Sequence, residues 1–103
     1  MVKRKAPSVG VPTPGAWKDD AGKVRLDLLP FLALEDVARV LEHGAAKYSE
    51  QGWREVPDGR ARYLAATLRH LSAHMRGEVK DPESGLPHLA HAACSLLFAL
   101  ELS

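Results

Sequence analysis

The sequence predicts an all-α protein, a small antiparallel bundle of three main helices joined by short segments. Three observations carry that expectation. Apolar residues recur at helical spacing in three separate stretches, clusters of Gly and Pro fall between them, and no stretch alternates as a half-buried strand would. There is no internal repeat and no low-complexity tract.

Residues 1–21 read as a Pro/Gly-rich basic arm. "MVKRK" leads into Pro7, Pro12 and Pro14, and with Gly10, Gly15 and the following Gly22 these spoil regular hydrogen bonding. The domain proper is expected over 22–103. Val37, Val40, Leu41, Gly44, Ala45 and Tyr48 follow the i, i+3, i+4, i+7, i+8, i+11 spacing of one buried stripe and predict a helix over 31–48. Gln51-Gly52-Trp53 breaks it, and Pro57-Asp58-Gly59 adds a turn. Leu64, Leu68, Leu71 and Met75 predict a second helix over 60–76, with Gly77 as its stop. Leu86, Leu89, Ala93, Leu96, Leu97 and Leu100 predict a third, opening after Ser84-Gly85 with Pro87 in its first turn and reaching 102.

Composition narrows the function classes. A chain of 103 residues makes one domain that buries only about two-thirds of its unfolded surface, so completion by oligomerisation is expected. The 14 lysines and arginines balance 13 acids to a formal +1, which excludes a general basic field for nucleic acid and leaves at most a local patch. Cys94 is the only cysteine, so no intrachain disulfide forms, and a reducing cytoplasm suits the chain. No apolar run is long enough to span a bilayer and the start lacks a signal-peptide core, so no membrane role is expected.

The polar residues then fall into sets. His88, His91 and Ser95 share one side of the third helix, and His70 and His74 are i, i+4 on the second. Facing imidazole pairs are a way for bundles to hold a metal, although either pair alone is more often structural. Glu35 and Glu42 share a face of the first helix, while Asp36, Arg39 and His43 read as a solvated charge ladder. Carboxylates facing such histidines would suit a hard divalent cation. Lys47, Tyr48, Trp53 and Arg54 bring cations for phosphate and rings for a base into one loop; the plainer reading has Tyr48 and Trp53 seal a small core. Lys23, Arg25 and Asp27 precede the first helix. Ser84 and Gly85 sit where an opening helix favours an anion, or where Ser84 is an ordinary cap.

Taken in order, "GKVRLDLLP", "EDVARVLEHGAAKYSEQGWR", "YLAATLRHLSAHMRGE" and "DPESGLPHLAHAACSLLFALEL" resemble the N-terminal domain of bacteriophage dATP/dGTP diphosphohydrolases, MazZ-type relatives of MazG nucleotide pyrophosphohydrolases. The resemblance covers residues 22–102. It implies a MazG-like all-α fold working as a dimer or tetramer. It also implies Mg²⁺- or Mn²⁺-dependent cleavage of a purine deoxynucleoside triphosphate, dGTP or dATP, to monophosphate and pyrophosphate. For a phage-encoded chain the place of action is the host cytoplasm. The MazG pattern of EExxE followed by ExxD is met only in part: Glu35-Asp36 begins it, but Arg39 stands where an acid is expected, and His88-Leu89-Ala90-His91 stands in place of ExxD.

The metal shell implied is Glu35, Asp81, Glu83, His88 and His91, with His70 facing them as a further ligand or an orienting partner and Glu42 in reserve. Glu83 is the expected base toward water. Lys23, Lys47, Arg54 and Arg69 are expected on the phosphates with Ser84, and Trp53 or Tyr48 on the purine. Two rivals from other classes are a nucleotide-binding module without turnover and a helical scaffold using "MVKRK" as an arm.

Overall fold

The structure, a computed structural model, describes residues 18–103. Most of the basic arm assigned to 1–21 therefore lies outside the described residues. Among those described, three α-helices carry the fold: α1 (Phe31–Lys47), α2 (Gly59–Met75) and α3 (His88–Glu101). Single 3₁₀ turns at Leu26–Leu28 and Gly52–Glu55 lead into α1 and fill the α1–α2 connection. The only β feature described is an isolated antiparallel bridge between Lys80 and Pro87, so the all-α expectation holds. No described helix is long and apolar enough to cross a membrane.

Helix α1 ends where Tyr48 N–H closes on Gly44 C=O at 2.8 Å, and Lys47 lies in its last turn, where a cation meets the negative end of the helix dipole. Helix α2 follows the turn expected at Pro57-Asp58-Gly59, with Asp58 held at φ 54°. It stops in a Schellman motif: Gly77 adopts φ 98°, its N–H donates to His74 C=O at 2.9 Å, and Glu78 N–H reaches back to Ala73 C=O at 3.0 Å. A residue bearing Cβ is strained at that φ, which is why a glycine terminates the helix.

Helix α3 opens later than the sequence suggested. Asp81 N–H donates to Leu86 C=O (2.9 Å), Gly85 N–H to Asp81 C=O (2.7 Å), and His88 N–H to Val79 C=O (2.9 Å), closing residues 79–88 into a looped hairpin. Pro87 is extended (φ −56°, ψ 135°) and precedes the helix instead of lying in its first turn. Ser84 and Gly85 therefore belong to the hairpin turn, not to a helix N-terminus.

Helices α2 and α3 pack antiparallel. Arg60 near the start of α2 bonds Ser103 just past the end of α3 (3.0 Å), and Thr67 Oγ1 lies 2.8 Å from Tyr63 C=O and 3.5 Å from Ala92 C=O. Helix α1 lies against α3, where Val37 and Val40 meet Ala90 and Cys94, flanked by Leu86, Ala93 and Phe98. Burial pushes the Cys94 thiol up to about 11, so it is an inert packing group at neutral pH.

The buried stripes of α2 and α3 differ from those expected. Ala90, Ala92, Cys94 and Ala99 line the inside of α3, while Leu89, Leu96, Leu97 and Leu100 point outward, Leu100 being 70% exposed. On α2, Thr67 and Ala73 are buried and Leu68, Leu71 and Met75 are exposed. Periodicity locates an apolar face but not which face the neighbouring helix takes. Small residues allow two helices to approach closely, and the leucines are left uncovered among the described residues.

Candidate functional site

The end of the α2–α3 hairpin away from the chain terminus collects most of the histidines. His70 comes from α2, His88 and His91 from α3, and Asp81 and Ser84 from the loop between them. His88 and His91 are one helical turn apart, so both project toward α2, and the hairpin folds Asp81 back over them. His70 Nδ1 and His88 Nδ1 are 2.8 Å apart. The His70 ring stacks on His91 with centroids 4.6 Å apart and planes within 15°. Ser84 Oγ lies 2.6 Å from His91 Nε2 and also accepts Leu86 N–H at 3.1 Å, while Asp81 Oδ2 is 3.7 Å from the same His91 nitrogen.

Local backbone chemistry fixes the carboxylate. Asp81 Oδ1 accepts the N–H of Glu83 at 2.8 Å, an Asx turn that holds the loop. Burial pushes Asp81 upward, but that hydrogen bond and the facing histidines outweigh it and leave its carboxyl below the ordinary value. His70 and His91 are both pushed down, chiefly by burial. For His70 the neighbouring His91 and His88 add to the effect; for His91 the pull of Asp81 upward does not offset it. Both rings are thus neutral at pH 7 and keep an unprotonated nitrogen for a ligand.

Ligand atoms of His70, Asp81 and His88 all lie within 4.8 Å of one another. Two imidazole nitrogens and one carboxylate are donor types that a divalent ion takes, and at ligand distances of about 2.1 Å they would have to lie within about 4.2 Å of one another, a small closure from that limit. The residues present could hold a metal ion.

Other expected site residues are distributed unevenly. Lys47 and Glu83 form an ion pair beside the cluster; it raises Lys47 and, through the hydrogen bond first and the charge second, lowers Glu83. Glu35 is not brought to the cluster. Its exposed carboxylate lies 3.8 Å from Arg39, which also holds Asp36 at 2.7 Å, so Arg39 occupies the acids of the first motif instead of extending it.

Trp53 stacks flat on Phe98 (4.1 Å, 5°), and the Arg54 guanidinium covers it at 4.3 Å. Both ring faces are therefore taken, and the core-sealing reading is the one the structure adopts for Trp53. Arg54 bonds Gln51 at 2.7 Å and lies 3.6 Å from Glu101 at the far end of α3, about 20 Å from His88 by helical rise. Tyr48 remains 76% exposed next to Lys47. Arg69 stands on the outer side of α2 with Leu68, Ser72 and Arg76, and Lys23 is exposed.

Residues 14–103 match the family described as dATP/dGTP diphosphohydrolase, N-terminal. The chain belongs to this family. It is 40% identical over 81 residues to the dATP/dGTP diphosphohydrolase of Salmonella phage PMBT28, a match that covers 79% of this chain and 27% of that relative. The chain thus spans about a quarter of that protein's length. No solved structure is significantly similar to it.

Within this diphosphohydrolase-family domain, two residues escaped the sequence reading. Glu78 accepts a hydrogen bond from His88 Nε2 at 2.7 Å. His43, assigned to a solvated ladder, is close enough to His91 and Glu83 to influence both. The available signal for His43 was its i, i+4 spacing from Lys47, which puts the two on one face of α1. His74, paired with His70 by spacing, stays outside the cluster and has a buried Nδ1 with no hydrogen-bond partner among the described residues.

Proposed function

We infer that this domain hydrolyses a purine deoxynucleoside triphosphate, dATP or dGTP, to monophosphate and pyrophosphate with Mg²⁺ or Mn²⁺. The observation that carries the reading is the meeting of His70, Asp81 and His88 beside the Lys47–Glu83 pair, in a chain of this family. His70, Asp81 and His88 would hold the cation, with His91 and Ser84 packed next to it. When bound, it supplies Lewis acidity to the phosphate oxygens and the attacking water. The phage relative and a free-nucleotide substrate support the host cytoplasm as the place of action.

The chain's own residues do the rest. An incoming triphosphate competes for Lys47 and draws it from Glu83, so the Glu83 carboxylate loses the cation that lowers it and becomes a better base. Water oxygen bonds the α-phosphorus, the bond from that phosphorus to the bridging oxygen breaks, pyrophosphate leaves, and the proton passes to Glu83. Positioning and charge supply most of the rate, as is usual for phosphoryl chemistry. Incubation with each common deoxynucleoside and ribonucleoside triphosphate, with Mg²⁺ or Mn²⁺, is expected to yield monophosphate and pyrophosphate from dATP or dGTP. Nucleoside diphosphate with inorganic phosphate, or no turnover, would overturn the reading. Glu83→Gln with metal in excess is expected to lose about 100-fold in kcat; full activity would remove Glu83 as the base.

A second copy is the natural cover for the outward leucines. Leu89, Leu96 and Leu100 recur at i, i+7, i+11 and share one face of α3, and Leu68, Leu71 and Met75 share one on α2, all of them exposed. A self-complementary face of this kind suits a symmetric dimer, or a tetramer built from dimers. Light scattering after size exclusion is expected to give an oligomer for the parent and a monomer for the double variant Leu96→Glu, Leu100→Glu. A monomeric parent at micromolar concentration would refute the assembly.

A further inference from the structure

His88 is the most deeply placed polar residue of the cluster, 5% exposed. Its two ring nitrogens face different partners. Nε2 lies 2.7 Å from Glu78 Oε1, and Nδ1 lies 2.8 Å from His70 Nδ1. An ionised carboxylate accepts hydrogen bonds and cannot donate, so the proton on His88 sits on Nε2. In the neutral ring Nδ1 then carries only a lone pair. That lone pair accepts the Nδ1–H of His70 in the metal-free protein, and a cation would take that proton's place, with His70 passing to its Nε2–H tautomer.

The backbone explains why Glu78 is where it is. Glu78 is the second residue beyond the α2 cap in the Schellman motif, and its N–H is tied to Ala73 C=O at 3.0 Å. One residue further on, Val79 C=O accepts the N–H of His88 at 2.9 Å. The same short segment therefore holds the backbone of His88 and its ring. Glu78 makes no other side-chain bond among those described, and its side chain is 55% exposed. The bond to His88 is thus not a by-product of core packing.

We propose that Glu78 is a positioning residue that fixes the Nε2–H tautomer of His88, so that a cation is taken by Nδ1 of His88 together with Nδ1 of His70 and the Asp81 carboxylate. This rests on the metal reading given above and deepens it. The arrangement is a carboxylate–histidine–metal relay, in which the outer carboxylate orients the ring and makes the inner nitrogen more basic. It also sets the class of ion. Two imidazoles and one carboxylate favour a borderline first-row ion such as Co²⁺, and Mn²⁺ after it, over Mg²⁺, which prefers oxygen ligands and keeps its waters.

The test uses the full chain, stripped with chelator and titrated with Co²⁺ alone, with affinity read by chelator competition and geometry by the visible d–d bands. Glu78→Ala is expected to weaken Co²⁺ binding by about 10- to 100-fold, and Glu78→Gln, whose amide oxygen still accepts from Nε2, to recover part of that loss. In the metal-free protein, ¹⁵N chemical shifts of His88 should report the Nε2–H tautomer in the parent and a mixture in Glu78→Ala, with helix content by circular dichroism unchanged. Mg²⁺ in millimolar excess should fail to displace Co²⁺. If Glu78→Ala keeps parental Co²⁺ affinity while Asp81→Asn loses it, the role given to Glu78 is wrong and the metal centre stands. If the parent itself binds no Co²⁺, both fall.

Discussion

Asp81→Asn and His70→Ala are each expected to reduce nucleotide hydrolysis by more than 100-fold and to abolish Mn²⁺ binding. The floor is set by what loss of an outer partner of a metal ligand costs, about 10- to 100-fold, since removing a ligand itself must cost more. The Asn variant is the sharper of the two. Its amide oxygen still accepts the Glu83 N–H that organises the hairpin (2.8 Å in the parent), so the loop keeps its shape while the charge that attracts a cation is gone. Mn²⁺ binding followed by electron paramagnetic resonance, alongside the product assay, separates the two losses. Retained binding with lost turnover would place Asp81 on the reacting water. Retention of both would remove it from the site.

The second large effect concerns stability, at the opposite end of the hairpin. Phe98 stacks on Trp53 (4.1 Å) and meets Tyr63 edge-on (5.1 Å, 69°), and Tyr63 closes the group by donating its hydroxyl to Trp53 C=O at 2.9 Å. These three rings anchor the 3₁₀ turn of the α1–α2 connection to the end of α3. Phe98→Ala removes the shared ring and leaves a void, a change of about 3 kcal/mol. In a domain of this size that lowers Tm by on the order of 15 °C. Phe98→Leu keeps most of the volume and should lose no more than about half as much. Thermal unfolding by circular dichroism measures both, and equal stability of parent and Ala variant would show that the rings are not holding the end of the bundle.

Trp53 shows where residue chemistry is ambiguous in a sequence. A tryptophan beside an arginine reads equally as a platform for a purine and as a plug for a core. The choice depends on whether another ring lies within van der Waals reach, and the ring that does is Phe98, 45 residues further along. Glu78 is inconspicuous in the sequence for a similar reason. Between Gly77 and Val79 it looks like a solvated residue after a helix stop, and only the folding back of the hairpin brings it under His88. Glu35 is the opposite case: its motif groups it with metal ligands, while in the fold its exposed carboxylate lies 3.8 Å from Arg39 one turn later.

The sequence by itself determined the helical class, the three helices to within a few residues, the turn at Pro57-Asp58-Gly59 and the stop at Gly77. It also put His70, Asp81 and His88 among the candidate site residues. Each of these follows from interactions within about a turn of chain: apolar spacing, the φ that only glycine adopts easily, and residue types with a metal-ligating atom. Tertiary structure alone decided which face of α2 and α3 is buried, which nitrogen of His88 is bare, and which acids stand by the histidines. Those outcomes depend on distances between segments far apart in sequence, which side-chain periodicity does not encode.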